Sequence, residues 1–241
     1  KPSSTIPVLV SEAKTRKLFI DVLLKEAGWD NLIEGRDLEY EVSGMPKSTN
    51  PTGIGYVDYV LWGKDGKPLA VIEAKSTLKD PATGKQQAIL YADCLEVKFK
   101  RRPVIFYSNG FETYLWDDAF YPPRRVQGFY TQDELELLLQ RRTQRKDLRG
   151  FTPNPNIAGW YYQKEAIQHL AENFCTEKNG KLRGTNREAL LVMATGSGKT
   201  RTAAAIVEML AKSNWVKRVL FLADRNALVT QAKRAFNEHL H

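Results

Sequence analysis

Three charged side chains interrupt two otherwise apolar runs in the first half of the chain. Asp58 lies within Tyr56-Val57-Asp58-Tyr59-Val60-Leu61, and Glu73-Ala74-Lys75 closes the run Leu69-Ala70-Val71-Ile72. A charge inside a buried apolar run needs a partner or a metal ion. Both runs read as strands, and the Asp65-Gly66 pair between them is a hairpin signal that makes them antiparallel neighbours. The two-residue period then puts Glu73 and Lys75 on one face. Carboxylates on paired strands can converge on a hard cation such as Mg²⁺, which takes oxygen ligands and keeps water positions open. Asp58 and Glu73 would be its ligands. An ion there would stabilise charge on an attacked phosphate and help make hydroxide, with Lys75 orienting or deprotonating the water. The helix expected next carries Gln87 and Tyr91 four residues apart, hence on one face beside this cluster. The same five residues also suit a blander arrangement: a cross-strand salt bridge on a solvated face, with two ordinary helix-surface residues nearby.

A second candidate lies in the other half. Ala194-Thr195-Gly196-Ser197-Gly198-Lys199-Thr200 sits between an apolar run and an Ala-rich helix, the context a phosphate-binding loop requires. Its glycines let backbone N–H groups and the helix N-terminus point at phosphate oxygens. Lys199 would add a point charge for the β/γ-phosphates and Thr200 a hydroxyl for their Mg²⁺. The general pattern asks for glycine at position 193, where this chain has Met193.

The elements that must hold these residues alternate between helix and strand, without repeats or low-complexity tracts. An amphipathic helix is expected over 11–27, strands near 38–42, 56–62 and 69–75, and a helix over 85–98. A second hairpin follows, 103–108 with 111–116 around Asn109-Gly110, and then a helix over 133–142. The stretch 141–155 is polar, basic and turn-rich and reads as a connection between domains. Beyond it come a helix over 163–175, a buried strand over 189–193, a helix over 199–212, a strand over 218–223 and a helix from 227 on. The expected division is 1–143, a linker 144–157, and 158–241.

The phosphate loop resembles motif I of superfamily 2 helicases and translocases, in which the first glycine is dispensable. Tyr161-Tyr162-Gln163-Lys164-Glu165-Ala166-Ile167 is similar to the Q motif of that superfamily. Phe221-Leu222-Ala223-Asp224-Arg225-Asn226-Ala227-Leu228-Val229-Thr230-Gln231 is similar to motif Ia, which lies along a nucleic-acid backbone. The resemblance implies that Gln163 reads adenine, that 195–199 surround the phosphates of ATP, and that Thr200 meets its Mg²⁺. Asp224 is no substitute for an Asp-Glu box, because Arg225 follows it. The 41 residues after Thr200 are too few to finish such a domain, so the chain reads as part of a larger motor that binds nucleotide without turning it over.

The Asp58…Glu73-x-Lys75 set is similar to the D…ExK arrangement of metal-dependent nucleases. Combined with the motor motifs and with Gln87 and Tyr91 in a Gln-x-x-x-Tyr pair, it resembles the N-terminal part of the restriction (R) subunit of type I restriction enzymes, over about residues 6–240. The segment Glu12-Ala13-Lys14-Thr15-Arg16, with Ile20-Asp21 and Ala27-Gly28-Trp29, is also similar to the start of that family. The implied fold is α/β: a PD-(D/E)xK-type nuclease domain with a mixed sheet flanked by helices, followed by the first, incomplete part of a RecA-like P-loop domain. The implied activity is that of a type I site-specific deoxyribonuclease, DNA-cleaving and ATP-dependently DNA-translocating. Its cofactors would be ATP and Mg²⁺, and its partners double-stranded DNA and the modification (methyltransferase) and specificity subunits. Glu12 would be an accessory metal-site acid, though a solvated first-turn residue favoured by the helix dipole fits it equally. Alternatives are another nuclease–motor fusion, type III-like or from DNA repair, and an inactive nuclease fold that docks DNA or subunits.

Composition sets the outer bounds. The 241 residues are 42% hydrophobic and 27% charged, with 10% aromatics, a globular profile rather than a disordered one. No apolar run approaches the ~18 residues a membrane-spanning helix needs, and the opening Lys1-Pro2-Ser3-Ser4-Thr5 has no signal-peptide character. Cys94 and Cys175 show no CxxC spacing, and three histidines cannot make a His-rich metal centre. A reducing cytoplasm is the expected location. The net charge of +8 suits a polyanion. Basic clusters at Lys98, Lys100, Arg101 and Arg102, at Arg124 and Arg125, and at Arg141, Arg142, Arg145, Lys146 and Arg149 are assigned to DNA as a group.

Overall fold

The computed structural model describes residues 11–48 and 50–239. The opening residues 1–10 and positions 240–241, on which the expected leader reading and the ends of the family resemblance fall, lie outside the described residues. The chain divides into two compact units, Lys1–Gln140 and Arg141–His241.

In the first unit, α1 (Glu12–Thr15) runs through a π-helical turn (Arg16–Ile20) into α2 (Asp21–Glu26). The single helix expected here is therefore broken. A π turn inserts an extra residue and rotates the residues after it about the helix axis. Ile20 and Leu24 are fully buried, whereas Leu18 and Val22, which the apolar pattern also counted, are exposed.

Six strands follow, β1 (Leu38–Ser43), β2 (Ile54–Trp62), β3 (Pro68–Ala74), β4 (Val104–Ser108), β5 (Thr113–Trp116) and β6 (Arg124–Val126), and they lie side by side in sequence order. All neighbours are antiparallel except β3 and β4, which are parallel and connected through α3 (Lys85–Phe99). Both expected hairpins form, β2–β3 and β4–β5. β6 had no signal in the sequence because Arg124-Arg125-Val126 carries neither length nor alternation. The last helix, α4, spans Gln132–Gln144.

The sheet is buried on both faces. Tyr59, Leu61, Ile72 and Phe106 pack with Ile20, Leu24 and Leu135 from the helices at either end of the unit. Val57, Val60, Val71 and Ile105 pack against Ala88, Ala92 and Leu95 of α3. Every residue of β3 is buried, as a strand covered on both sides must be.

The second unit contains α5 (Tyr161–Phe174), a two-stranded hairpin of β7 (Cys175–Lys178) and β8 (Lys181–Gly184), α6 (Lys199–Lys212) and α7 (Asn226–His239). One face of α5 buries Gln163, Ile167, Leu170 and Ala171, a helical spacing of four, three and one. The segment expected as a linker is held within this unit. Leu148, Ile157 and Ala158 are buried, the Lys146 N–H donates to Ser213 O at 2.9 Å, and the Trp215 indole donates to Lys146 O at 2.8 Å.

The strands expected at 189–193 and 218–223 do not form. Both segments are irregular, with Leu190 and Val192 88% exposed and Leu220 80% exposed. A strand exists by pairing its backbone with a neighbour, and among the described residues of this unit only β7 and β8 pair. The apolar composition of these runs is a strand's, but no ladder receives them.

Candidate active site

The chemistry of the first unit gathers where β2 and β3 lie beside the N-terminal end of α3. Val57 and Val60 pack on the α3 side of the sheet while Tyr59 packs on the other. Strict alternation would put Val57 and Tyr59 on the same face, so the side-chain phase of β2 slips by one residue at Asp58. Opposite it in the β1–β2 register, between the Leu38–Tyr59 and Tyr40–Val57 pairs, stands Glu39 with φ of +49°. Such a backbone is uncommon for a residue with a Cβ and costs energy that the surrounding structure must hold in place.

Asp58 is buried. Its Oδ2 accepts the Ala74 N–H at 2.7 Å, which ties it to the end of β3, and its Oδ1 accepts the Arg16 guanidinium at 2.8 Å. Burial nonetheless raises its pKa, against the pull of the Ala74 amide and Arg16. Glu73 is more deeply placed, its side chain 3% exposed, with Oε1 accepting the Lys75 ammonium at 2.6 Å. Burial first, and the Asp58 charge second, push its carboxyl up to about 8. Lys75 stays on the charged side: its carboxylate neighbours outweigh the burial that opposes them. The Glu73–Lys75 contact therefore lies on a buried surface and not on a solvated face, and it becomes an ion pair once Glu73 gives up its proton.

One atom in this cluster lacks a partner. Glu73 Oε2 is buried and, among the described residues, accepts no hydrogen bond, a costly state for a carboxylate oxygen unless something binds there. Two carboxylates, one with a vacant oxygen, together with a lysine, make a donor set that fits a hard divalent cation completed by water. Among the described residues no group of three or more His, Cys, Asp or Glu side chains is gathered for a metal, so such an ion would rest on these two carboxylates. Glu12 acts electrostatically on Asp58, Glu73 and Lys75, which places it near the cluster, half-buried on α1.

The α3 side closes the site. Tyr91 is buried and its hydroxyl accepts from Gln87 Nε2 at 2.6 Å, so the expected pair does form on one helix face. Burial raises the Tyr91 pKa, and the charges of Glu73 and Asp58 add to it. Two glycines permit this packing. A Cβ at Gly55 would stand 2.7 Å from the Tyr91 ring, and one at Gly84 would stand 2.8 Å from Glu73 Cγ and 3.1 Å from Lys75 Cε. Arg16 and Glu39 were not assigned roles by sequence reasoning. Arg16 is placed by the π turn that starts at it and Glu39 by its left-handed backbone, and nothing local in the sequence marks either.

In the second unit, Gly196 (φ +82°) and Gly198 (φ +81°) curl residues 194–199 ahead of α6. Lys199 folds back over the loop, donating to Met193 O at 3.2 Å and Ala194 O at 3.1 Å, while Ser197 Oγ donates to Ala194 O. Thr195 is exposed and Thr200 half-buried on the first turn of the helix. Gln163 is buried with both ends of its amide engaged: Nε2 donates to Ser197 O at 3.1 Å, and Oε1 accepts the Trp160 N–H at 3.2 Å. Glycine at 198 is favoured by its dihedral, and a Cβ there would stand 2.5 Å from Gln163 Nε2 and displace that amide.

Much of the basic surface is neutralised within the chain. Arg102 meets Asp93, Glu96 and Asp118, Arg101 meets Asp65, Arg125 meets Glu112, and Arg149 meets Asp147. Cys94 and Cys175 are both free thiols. No described helix is long and apolar enough to cross a membrane.

Both units resemble known proteins. Residues 156–241 match the family model described as type III restriction enzyme, res subunit. The type I restriction enzyme EcoAI endonuclease subunit of Escherichia coli is 37% identical over 86% of this chain and 26% of its own length. The EcoKI endonuclease subunit of Escherichia coli K12 is 27% identical over 95% of this chain and 24% of its own. The chain thus spans about a quarter of the length of these relatives. A solved fragment described as an HsdR subunit of a type I restriction enzyme, from Vibrio vulnificus YJ016, covers 87% of this chain and 40% of its own at 24% identity and a TM-score of 0.44.

Proposed function

We propose, for a chain homologous to type I restriction enzyme endonuclease subunits, that the first unit is a PD-(D/E)xK-type nuclease domain and the second the P-loop end of the motor that drives it. The observation that carries the nuclease reading is the partnerless buried Oε2 of Glu73, next to an ion pair and within reach of the Asp58 charge. Asp58 and Glu73 would hold Mg²⁺, with Glu12 as a more distant acid. When bound, the ion supplies positive charge to the attacked phosphodiester and a water of lowered pKa. Lys75, kept charged by Glu73, orients that water and offsets the negative charge that builds on the phosphate. Its raised pKa favours donation over proton abstraction. Tyr91 walls the site, and the exposed Gln87 meets the DNA backbone.

In the second unit the loop at 195–199 would cradle the phosphates of ATP, with Lys199 turning outward to the β/γ-phosphates and Thr200 meeting their Mg²⁺. Gln163 would read adenine with its second N–H and its remaining lone pair while still bonded to Ser197 O, which would tie base recognition to the loop. The nuclease domain would span 1–143 and the motor part 158–241, with 144–157 a connection that packs on the second unit rather than a free linker. The acting complex would be cytoplasmic and would include double-stranded DNA and modification and specificity subunits.

The family model over 156–241 leaves a type III-like motor open for that part alone. Relatives aligned over 86% and 95% of the chain, far more than the second unit alone, favour type I. The decisive experiment uses the full-length subunit in its assembled complex. Asp58→Asn and Lys75→Ala should each lower DNA cleavage by about 10²–10³-fold or more while leaving ATP hydrolysis at wild-type rate. Retained cleavage in either variant would overturn the site, and loss of ATP hydrolysis in both would point to a structural defect instead.

A further inference from the structure

Three irregularities of the first unit meet at a single side chain. The helix breaks into a π turn that begins at Arg16, β1 adopts φ of +49° at Glu39, and the side-chain phase of β2 slips at Asp58. Arg16 lies between the two carboxylates, donating to Asp58 Oδ1 at 2.8 Å and to Glu39. Since the Ala74 amide holds Asp58 Oδ2, the guanidinium takes the remaining oxygen of Asp58 from which a cation would be bound. The neighbouring oxygen of Glu73 stays empty.

The arginine also has somewhere to go. Arg16 already borders a pocket of about 190 Å³ that is also lined by Asp21, Glu34 and Glu39, three acids against the one further cation Lys17. Asp21 is held by the Tyr59 hydroxyl at 2.7 Å, so part of that acidic wall is fixed in advance. A long flexible stem ending in a planar cation can pivot from Asp58 into this pocket without losing Glu39.

We propose that Arg16 is a placeholder for the divalent cation: it neutralises Asp58 when no metal is present, and moves into the acidic pocket on the Glu39 side when the cation takes Asp58 Oδ1. Arg16 is then a positioning residue that acts through Asp58. It sets how much free metal the site needs, because every binding event must break the Arg16–Asp58 pair. Glu39 holds the arginine within reach of both positions, which gives the strained backbone at Glu39 a purpose.

The proposal rests on Asp58 and Glu73 being a metal-binding pair, and the test separates the two ideas. Mn²⁺ is titrated into the nucleotide-free full-length subunit by calorimetry, and melting is followed with and without Mn²⁺, for wild type, Arg16→Met, Arg16→Lys and Asp58→Asn. Removing a charge-assisted competitor should tighten the Asp58-dependent binding in Arg16→Met by about tenfold or more. Arg16→Lys, a compact and readily hydrated cation, should tighten it by a smaller factor and serves as the reading if the methionine variant does not fold. Without metal Arg16→Met should melt below wild type, and Mn²⁺ should raise its Tm by more than it raises that of wild type. A merely structural arginine would lower both melting points equally. Equal or weaker Mn²⁺ binding in the Arg16 variants, with binding still lost in Asp58→Asn, overturns the placeholder and leaves the metal site standing. Absence of Asp58-dependent binding in every protein overturns the metal site itself.

Discussion

Glu73 shows how much one atom's surroundings decide. Its carboxyl is pushed up to about 8 by burial and by Asp58, despite the Lys75 ammonium at 2.6 Å. An unfolded glutamate titrates near 4.5. Between these two values the folded protein holds a proton the unfolded chain has lost, so stability falls as pH rises through this window. In metal-free protein, Glu73→Gln should therefore gain on wild type as the pH is raised from 5 to 8, by about 3 °C in Tm or more, measured by melting in the presence of a chelator. Parallel pH profiles for the two proteins would show that Glu73 is ionised throughout. The residue types of this cluster were legible in the sequence because three charges stood inside apolar strands. Their burial was not, since a solvated salt bridge uses the same letters. Arg16 and Glu39 were harder still. Their positions depend on a π turn and a left-handed backbone, neither of which has a local composition signal.

At the scale of elements, α3 can approach β3 only because its lead-in residue has no side chain. A Cβ at Gly84 would meet Glu73 Cγ at 2.8 Å, a mid-chain carbon of a buried side chain that cannot swing aside. Gly84→Ala should shift the carboxylate and Lys75 together, lowering cleavage by about tenfold or more while costing ~1–3 kcal/mol of stability. Cleavage assays and denaturant melts on the same preparation check this, and unchanged cleavage would mean that the site tolerates movement of Glu73. Element order in this unit was readable from Asp65-Gly66, Asn109-Gly110 and the two-residue period, because hairpins are set by local chemistry. The parallel pairing of β3 with β4 was not, because it is made by packing α3 across residues far apart in sequence. In the other unit the apolar runs 189–193 and 218–223 read as strands but pair with no strand among the described residues. Strand character in a sequence is a statement about composition, and a strand in a structure also needs a neighbour.

Across the whole molecule, the two chemistries differ in how complete they are within these residues. The nuclease candidates Asp58, Glu73, Lys75, Gln87 and Tyr91 all come from one unit, and the sequence between Asp58 and Tyr91 supplies both strands and the helix that hold them. The loop at 194–199 is curled ahead of α6, with Lys199 folded onto its own backbone, but no Asp-Glu pair follows Thr200 in this chain. Hydrolysis needs a group that positions water at the γ-phosphate as well as a cradle for it. The 241-residue chain should therefore bind ATP without steady turnover, and sustained phosphate release by it would mean that the missing carboxylate is replaced from within these residues. In the assembled full-length enzyme, Lys199→Ala should lower ATP hydrolysis by about 10²-fold or more and reduce DNA cleavage along with it, while Mn²⁺ binding that depends on Asp58 stays at the wild-type value. That last measurement matters most. It distinguishes a nuclease site that is built but waiting on the motor from one that the P-loop helps to fold, and a loss of metal binding in Lys199→Ala would favour the second.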